Sequence, residues 1–123
     1  MRDPTPLERN EATYLAGLDV DALYMSVGRA SQSTVGVQFS PERALQEGRS
    51  WLALKHDVLY AKICTEWEYC KKRDLVGLRD PITLAVAVAD LIVAAVGGIP
   101  SLAVSTLLIK IGLDRFCGCD GHK

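Results

Sequence analysis

The cysteines and the histidine near the C-terminus are the first residues whose types and spacing could do chemistry. Cys117, Cys119 and His122 form a C-x-C-x-x-H cluster, in which two thiolates and one imidazole are ligands that zinc accepts. A structural zinc site needs a fourth ligand, and Cys64 or Cys70 supplies it if the tail folds back onto the preceding helix. These two are about 120° from sharing a helical face, so only one is expected to join. Chain ends usually fray, and we therefore predict no bound metal and no cofactor.

Three ionisable side chains stand in apolar surroundings and are predicted to be buried polar groups. His56 lies in the middle of an apolar helical stripe, and no Ser or Cys stands at helical or turn spacing from it to make a nucleophile and base pair. Between residues 82 and 113 the only ionisable side chains are Asp90 and Lys110. Asp90 is predicted to be hydrogen-bonded inside a helical hairpin, where it sets the register and where Lys110 is one candidate partner. No catalytic residue is predicted, and the chain is expected not to be an enzyme.

The four cysteines also bear on the compartment in which the chain works. The N-terminus has no basic patch followed by an apolar run, so no secretory signal and no oxidising compartment are predicted. The cysteines are then expected to be free thiols or metal ligands rather than a disulfide framework. This interpretation predicts a cytoplasmic protein, with membrane association as the alternative.

Composition limits the classes of fold and partner. The chain has 123 residues, of which 49% are hydrophobic, and 14 Lys and Arg balance 15 Asp and Glu for a net charge of −1. A chain of this size can bury a core without metal or disulfide, which predicts one domain over residues 1–123. Nucleic-acid binding is excluded because it needs an excess of basic side chains on one face.

Local signals divide this domain into helices. Thr5, Pro6 and Glu8 read as a capping box, Gly17 as a helix end, and Asp19 or Asp21 as the cap of a second helix. Residues 1–40 are thus predicted to hold N-terminal helices and, from 31 to 40, an extended segment. Ser40 and Pro41 then begin a long helix predicted over residues 41–73.

The long helix has two apolar faces. One is centred on His56, and a surface helix in a monomer needs only one such face. The second face is therefore predicted to meet another chain, which makes the protein an oligomer or a subunit of a larger assembly. The predicted interaction residues are Trp51, Leu54, Val58, Ala61 and Tyr69.

An apolar helical hairpin is predicted over residues 81–117, followed by a tail over 118–123. Asp80 and Pro81 begin it, Gly97 to Pro100 form its turn, and Gly118 ends it. It admits two interpretations, a helix pair at the centre of a bundle or a pair that inserts into a bilayer. Asp90 disfavours insertion, because an Asp at the middle of a span costs about 2.5 to 3.5 kcal/mol.

Together these patterns predict an all-α fold, a small bundle of four to five helices with a long central helix and the apolar hairpin. The predicted function is a non-enzymatic protein–protein interaction or assembly module, with the chain itself or a larger assembly as partner. The alternative is a membrane-acting protein whose hairpin, residues 82–116, inserts into a bilayer.

Overall fold

The computed structural model describes residues 3–31 and 40–119, and all regular structure within those ranges is helical. The predicted all-α class is confirmed. A π-helical segment, Ala61–Glu66, continues the third helix, and a short 3-10 helix, Val76–Leu78, precedes the fifth. The α-helices of the described ranges are α1 Pro6–Ala16, α2 Val20–Ser31, α3 Pro41–Tyr60, α4 Tyr69–Lys72, α5 Pro81–Ile92, α6 Ser101–Ile111 and α7 Leu113–Cys117.

The predicted helix starts are confirmed by their hydrogen bonds. The Thr5 hydroxyl accepts from the Glu8 amide at 3.2 Å, and the Glu8 carboxylate accepts from the Thr5 amide at 2.8 Å, which completes the capping box of α1. The Ser40 hydroxyl accepts from the Arg43 amide at 3.2 Å at the start of α3. Most of the predicted extended segment, residues 32–39, lies outside the described residues.

Helices α2 and α3 pack closely at two glycines. A Cβ at Gly28 would collide with the α3 backbone at Ala44, and a Cβ at Gly48 would collide with the α2 backbone at Tyr24. The glycines therefore permit a backbone-to-backbone approach that no larger side chain allows. Glycine inside a helix usually lowers its stability, but Gly48 of α3 is required here because it allows α2 and α3 to pack in backbone contact.

The predicted single helix over 41–73 is wrong in its last third. The Trp67 amide donates to the Lys62 carbonyl at 3.2 Å, a bond that spans five residues rather than four. Glu68 then adopts a left-handed conformation, with φ of 58°, and ends the helix before α4. The π-helical segment and the Glu68 break turn every later side chain away from the direction that a straight helix predicts.

Helices α5 and α6 form much of the core. Every side chain of α6 from Leu102 to Leu108 is buried, and α6 contacts α1, α2, α5 and α7. The Ser105 hydroxyl donates to the Ala85 carbonyl at 2.6 Å across the α5–α6 contact. The predicted second arm, 101–117, is interrupted at Gly112, whose φ of 115° separates α6 from α7.

Gly118 closes α7 in a left-handed conformation, as predicted. Within residues 3–31 and 40–119, no helix is both long enough and apolar enough to cross a membrane.

Candidate functional site

The candidate site is the outer face of α3, which we define as Trp51, Leu54, Val58 and Ala61. These residues follow one another at intervals of three and four, so they lie on one side of the helix and of the π-helical segment that continues it. Leu54 is 80% exposed and Val58 is 38% exposed, whereas Trp51 and Ala61 are half-buried. Trp51 packs against the core at one edge of this face. The outer face therefore joins an anchored aromatic ring to freely exposed aliphatic side chains.

Charged and polar side chains border the outer face. Lys55 lies along one side of the helix and Asp57 along the other, and the Asp57 side chain is fully exposed. A depression of about 280 Å³ lies at its N-terminal end, between Trp51 and Leu54 and the polar side chains of Ser31, Glu47 and Ser50. An apolar centre within a polar border is typical of protein interfaces.

Tyr69, predicted to share this face, does not belong to it. It is only 7% exposed, and its hydroxyl donates to the Asp114 carboxylate at 2.9 Å. Burial raises the pKa of Tyr69 to about 12, and the hydrogen bond and negative charge of Asp114 add to the shift. Arg73 pairs with the same carboxylate at 3.0 Å. The prediction is wrong because the break at Glu68 turns Tyr69 toward α7.

His56, predicted to be a core histidine, is also misplaced. Its side chain is 52% exposed, and its Nδ1 lies 3.3 Å from the Asp57 carboxylate. The ring centroid lies 5.1 Å from that of Phe116 and 6.0 Å from that of Tyr60. His56 lies at the edge of the buried side of α3. The Phe116 ring of α7 packs against it there, and the rest of its side chain is exposed to solvent.

Asp90 and Lys110, the other two predicted buried polar groups, are exposed. The Ser105 hydroxyl, rather than either charged group, makes the hydrogen bond between α5 and α6. The prediction assumed that the lone charge of an apolar arm faces the other arm. The structure instead leaves both charged residues exposed to solvent.

The sequence analysis missed two buried hydroxyl groups on α6. Ser105 is fully buried and its hydroxyl is satisfied by the Ala85 carbonyl. Thr106 is 3% exposed, and its hydroxyl is the buried side-chain group without a hydrogen-bond partner among the described residues. Such an unsatisfied group costs roughly 1 to 3 kcal/mol. For a small hydroxyl in an apolar helix, the sequence carries no signal that distinguishes a hydrogen-bonded buried group, such as Ser105, from one unpaired among the described residues, such as Thr106.

The four cysteines form two disulfides, so the prediction of free thiols or metal ligands is wrong. Cys64 bonds Cys117, and Cys70 bonds Cys119. Paired sulfurs are not thiolates and do not ligate zinc, and His122 lies outside the described residues. No group of three His, Cys, Asp or Glu in the described ranges is arranged to hold a metal ion.

Both cysteines of the long-helix region reach the C-terminal segment because that region is not a straight helix. Cys64 lies in the π-helical segment and Cys70 in α4, and the Glu68 break lies between them. Their expected 120° separation on one α-helix therefore does not apply. An even count of four cysteines was the signal available, although it does not reveal their pairing.

The outer face of α3 is apolar and exposed, and it is bordered by charges of opposite sign on its two sides. Comparison with models of protein families, with curated proteins and with solved structures finds no match to this chain.

Proposed function

We propose that the protein is a non-enzymatic assembly module that associates with a second copy of itself through the outer face of α3. The observation that carries the proposal is the exposure of Leu54, at 80%, beside the exposed Val58 on one helix face. Burying a side chain of this class contributes about 1.5 to 3 kcal/mol. A few such side chains around an aromatic anchor supply most of the energy of a typical interface.

The charges that border the outer face favour a second copy as the occupant. When a two-fold axis runs parallel to α3, the Lys55 side of one copy faces the Asp57 side of the other. Both borders then bring opposite charges together, as the flanking positions of parallel helix pairs do. An antiparallel pairing would instead place like charges together on each border.

The two disulfides favour a site of action in an oxidising compartment rather than the cytoplasm. Such bonds persist in secreted, periplasmic and lumenal proteins and are rare where cellular thiols are kept reduced. The cytoplasmic prediction rested on the N-terminal residues, and unpaired cysteines were expected as its consequence, whereas all four cysteines are paired. We propose that the module assembles outside the reducing cytoplasm.

Light scattering coupled to size exclusion, over a hundredfold range of concentration, tests self-association. The wild type is expected to form dimers, and Leu54→Glu is expected to weaken them at least about tenfold, since a buried charge replaces an apolar contact. Leu7→Glu is the matched control, because Leu7 is equally exposed at 80% but lies on α1. A wild type that stays monomeric throughout, or equal effects of both variants, would contradict the proposal.

Charge reversal tests the parallel arrangement. Lys55→Glu alone and Asp57→Lys alone are each expected to weaken the dimer, because each places like charges together. The double variant restores opposite charges on both borders and is expected to recover the wild-type affinity. Each exposed pair contributes about 0.2 to 1 kcal/mol, so the measurement belongs at low salt. Single variants that dimerise as tightly as the wild type, as antiparallel pairing would give, would exclude parallel pairing.

A further inference from the structure

A cavity of about 270 Å³ lies between α1, α5 and α6, on a part of the molecule that the outer face of α3 does not involve. Ala12 and Ala16 of α1 and Ala85 of α5 line it, and their short side chains leave the space between the three helices unfilled. Ile82 and Ile109 complete the apolar wall. A space with such walls favours a hydrocarbon group.

The cavity wall also carries a hydrogen-bonding group that the protein does not satisfy. Thr106 lines the cavity, is almost fully buried, and has a hydroxyl with no partner among the described groups. The neighbouring Ser105 hydroxyl, in contrast, donates to the Ala85 carbonyl. Threonine in a helix has two accessible χ1 rotamers, so the Thr106 hydroxyl can turn toward an acceptor inside the cavity.

Lys110 supplies the charge at the rim of the cavity. It is exposed, it is the charged residue among the lining side chains, and it follows Thr106 by four residues. Residues at this spacing lie on the same side of a helix, one turn apart. Lys110 and Thr106 therefore border the same apolar space, Lys110 with an ammonium group and Thr106 with a buried hydroxyl, unpaired among the described residues, that a χ1 rotation can bring toward that space.

We propose that this cavity binds a small amphipathic anion, a medium-chain monocarboxylate whose carboxylate accepts hydrogen bonds from Lys110 and Thr106. Its hydrocarbon chain packs against the alanine and isoleucine walls. The space of about 270 Å³ limits the ligand to a short or medium chain, for which hexanoate and octanoate are the probes. The ligand class follows from the one positive charge, the unsatisfied hydroxyl and the apolar volume.

Isothermal titration calorimetry of the full, oxidised chain with hexanoate, octanoate and 1-octanol tests the proposal. Octanoate is expected to bind at one site per chain, and Lys110→Met is expected to weaken it about tenfold, as the loss of a charge-assisted hydrogen bond does. The same variant is expected to leave binding of 1-octanol, which lacks the carboxylate, unchanged. Lys71→Met is the control, since Lys71 is an exposed lysine on α4 that does not line the cavity.

Two further variants separate loss of binding from loss of fold. Ala16→Leu fills the cavity from its half-buried edge and is expected to abolish binding of every probe while the circular dichroism spectrum stays that of the wild type. Thr106→Val keeps the side-chain shape, removes the hydroxyl, and is expected to weaken octanoate several-fold. Absence of saturable octanoate binding to the wild type, or binding that survives in folded Ala16→Leu, would overturn the proposal.

Discussion

The two disulfides are expected to stabilise the fold non-additively, because they close overlapping loops that share residues 70–117. Their partners are 53 and 49 residues apart, so either bond alone closes a long loop. In the chain-entropy relation, closing a loop of this length contributes about 4 kcal/mol at 25 °C. Once one bond is present, the other closes only a ring through residues 64–70 and 117–119, about ten residues, which contributes about 2.7 kcal/mol.

Removal of either disulfide, by Cys64→Ala with Cys117→Ala or by Cys70→Ala with Cys119→Ala, should therefore cost about 2.7 kcal/mol. Removal of both should cost about 7 kcal/mol, which exceeds the sum of the two single losses by about 1.5 kcal/mol. Urea unfolding of the wild type and the three variants, followed by circular dichroism, measures these free energies. A loss for the variant without disulfides that equals the sum of the two separate losses would refute the reasoning, because independent loops would then be the correct description.

Three further predictions concern single side chains. Gly48→Ala should lower the free energy of unfolding by about 1 to 3 kcal/mol, because the added Cβ collides with the α2 backbone. Gly98→Ala is the control and should lower it far less, because no atom lies near the added Cβ. Thermal denaturation of both variants measures the difference. Tyr69 has a raised pKa in the folded state. The stabilisation of the fold by its protonated hydroxyl is therefore complete below the ordinary tyrosine pKa of 10.0 and is lost as the pH rises toward about 12. Tyr69→Phe, which has no hydroxyl to donate to Asp114, should lack that alkaline loss when urea midpoints are measured against pH. The hydrogen bond from Thr83 holds the pKa of Asp80 below its ordinary value. The stabilisation of the fold by ionised Asp80 is therefore present above about pH 4 and is lost as the pH falls through the lowered value. In Asp80→Asn, the urea midpoint should fall less steeply with decreasing pH than in the wild type.

The helix starts could be predicted from the sequence because a cap depends on residues within three positions of one another. Thr5 with Glu8, and Ser40 with Pro41, carry that information locally, and the structure has the expected hydrogen bonds at both places. Gly118 ends α7 for an equally local reason, since glycine accepts the left-handed conformation without steric cost.

The break after α3 could not be predicted because its cause is not local. Nothing in the residues around Glu68 requires a left-handed backbone, and glutamate does not favour it. The break is compatible with the fold because it lets Cys70 and Tyr69 meet the C-terminal segment, which lies about 50 residues later in the chain. The error about Tyr69, and the expectation that only one of Cys64 and Cys70 reaches the C-terminal segment, follow from this one break.

Most of the candidate site could be predicted from the sequence, because its residues lie before the helix break at Glu68. Trp51, Leu54, Val58 and Ala61 precede the break, so helical spacing places them together in sequence and structure alike. Asp90 and Lys110 were misjudged because spacing along one helix does not tell which side the neighbouring helix covers. That choice depends on where α1, α2 and α6 pack.

The two overlapping disulfide loops also determine which products a protease would leave. Val76 is 81% exposed in the connection between α4 and α5, and this connection lies inside both closed loops. A cut next to Val76 would divide the chain into two polypeptides, but both sulfur bridges would still join them. Helices α5, α6 and α7 would stay attached to α1, α2 and α3, and the nicked protein would migrate as one species until a reductant released the pieces.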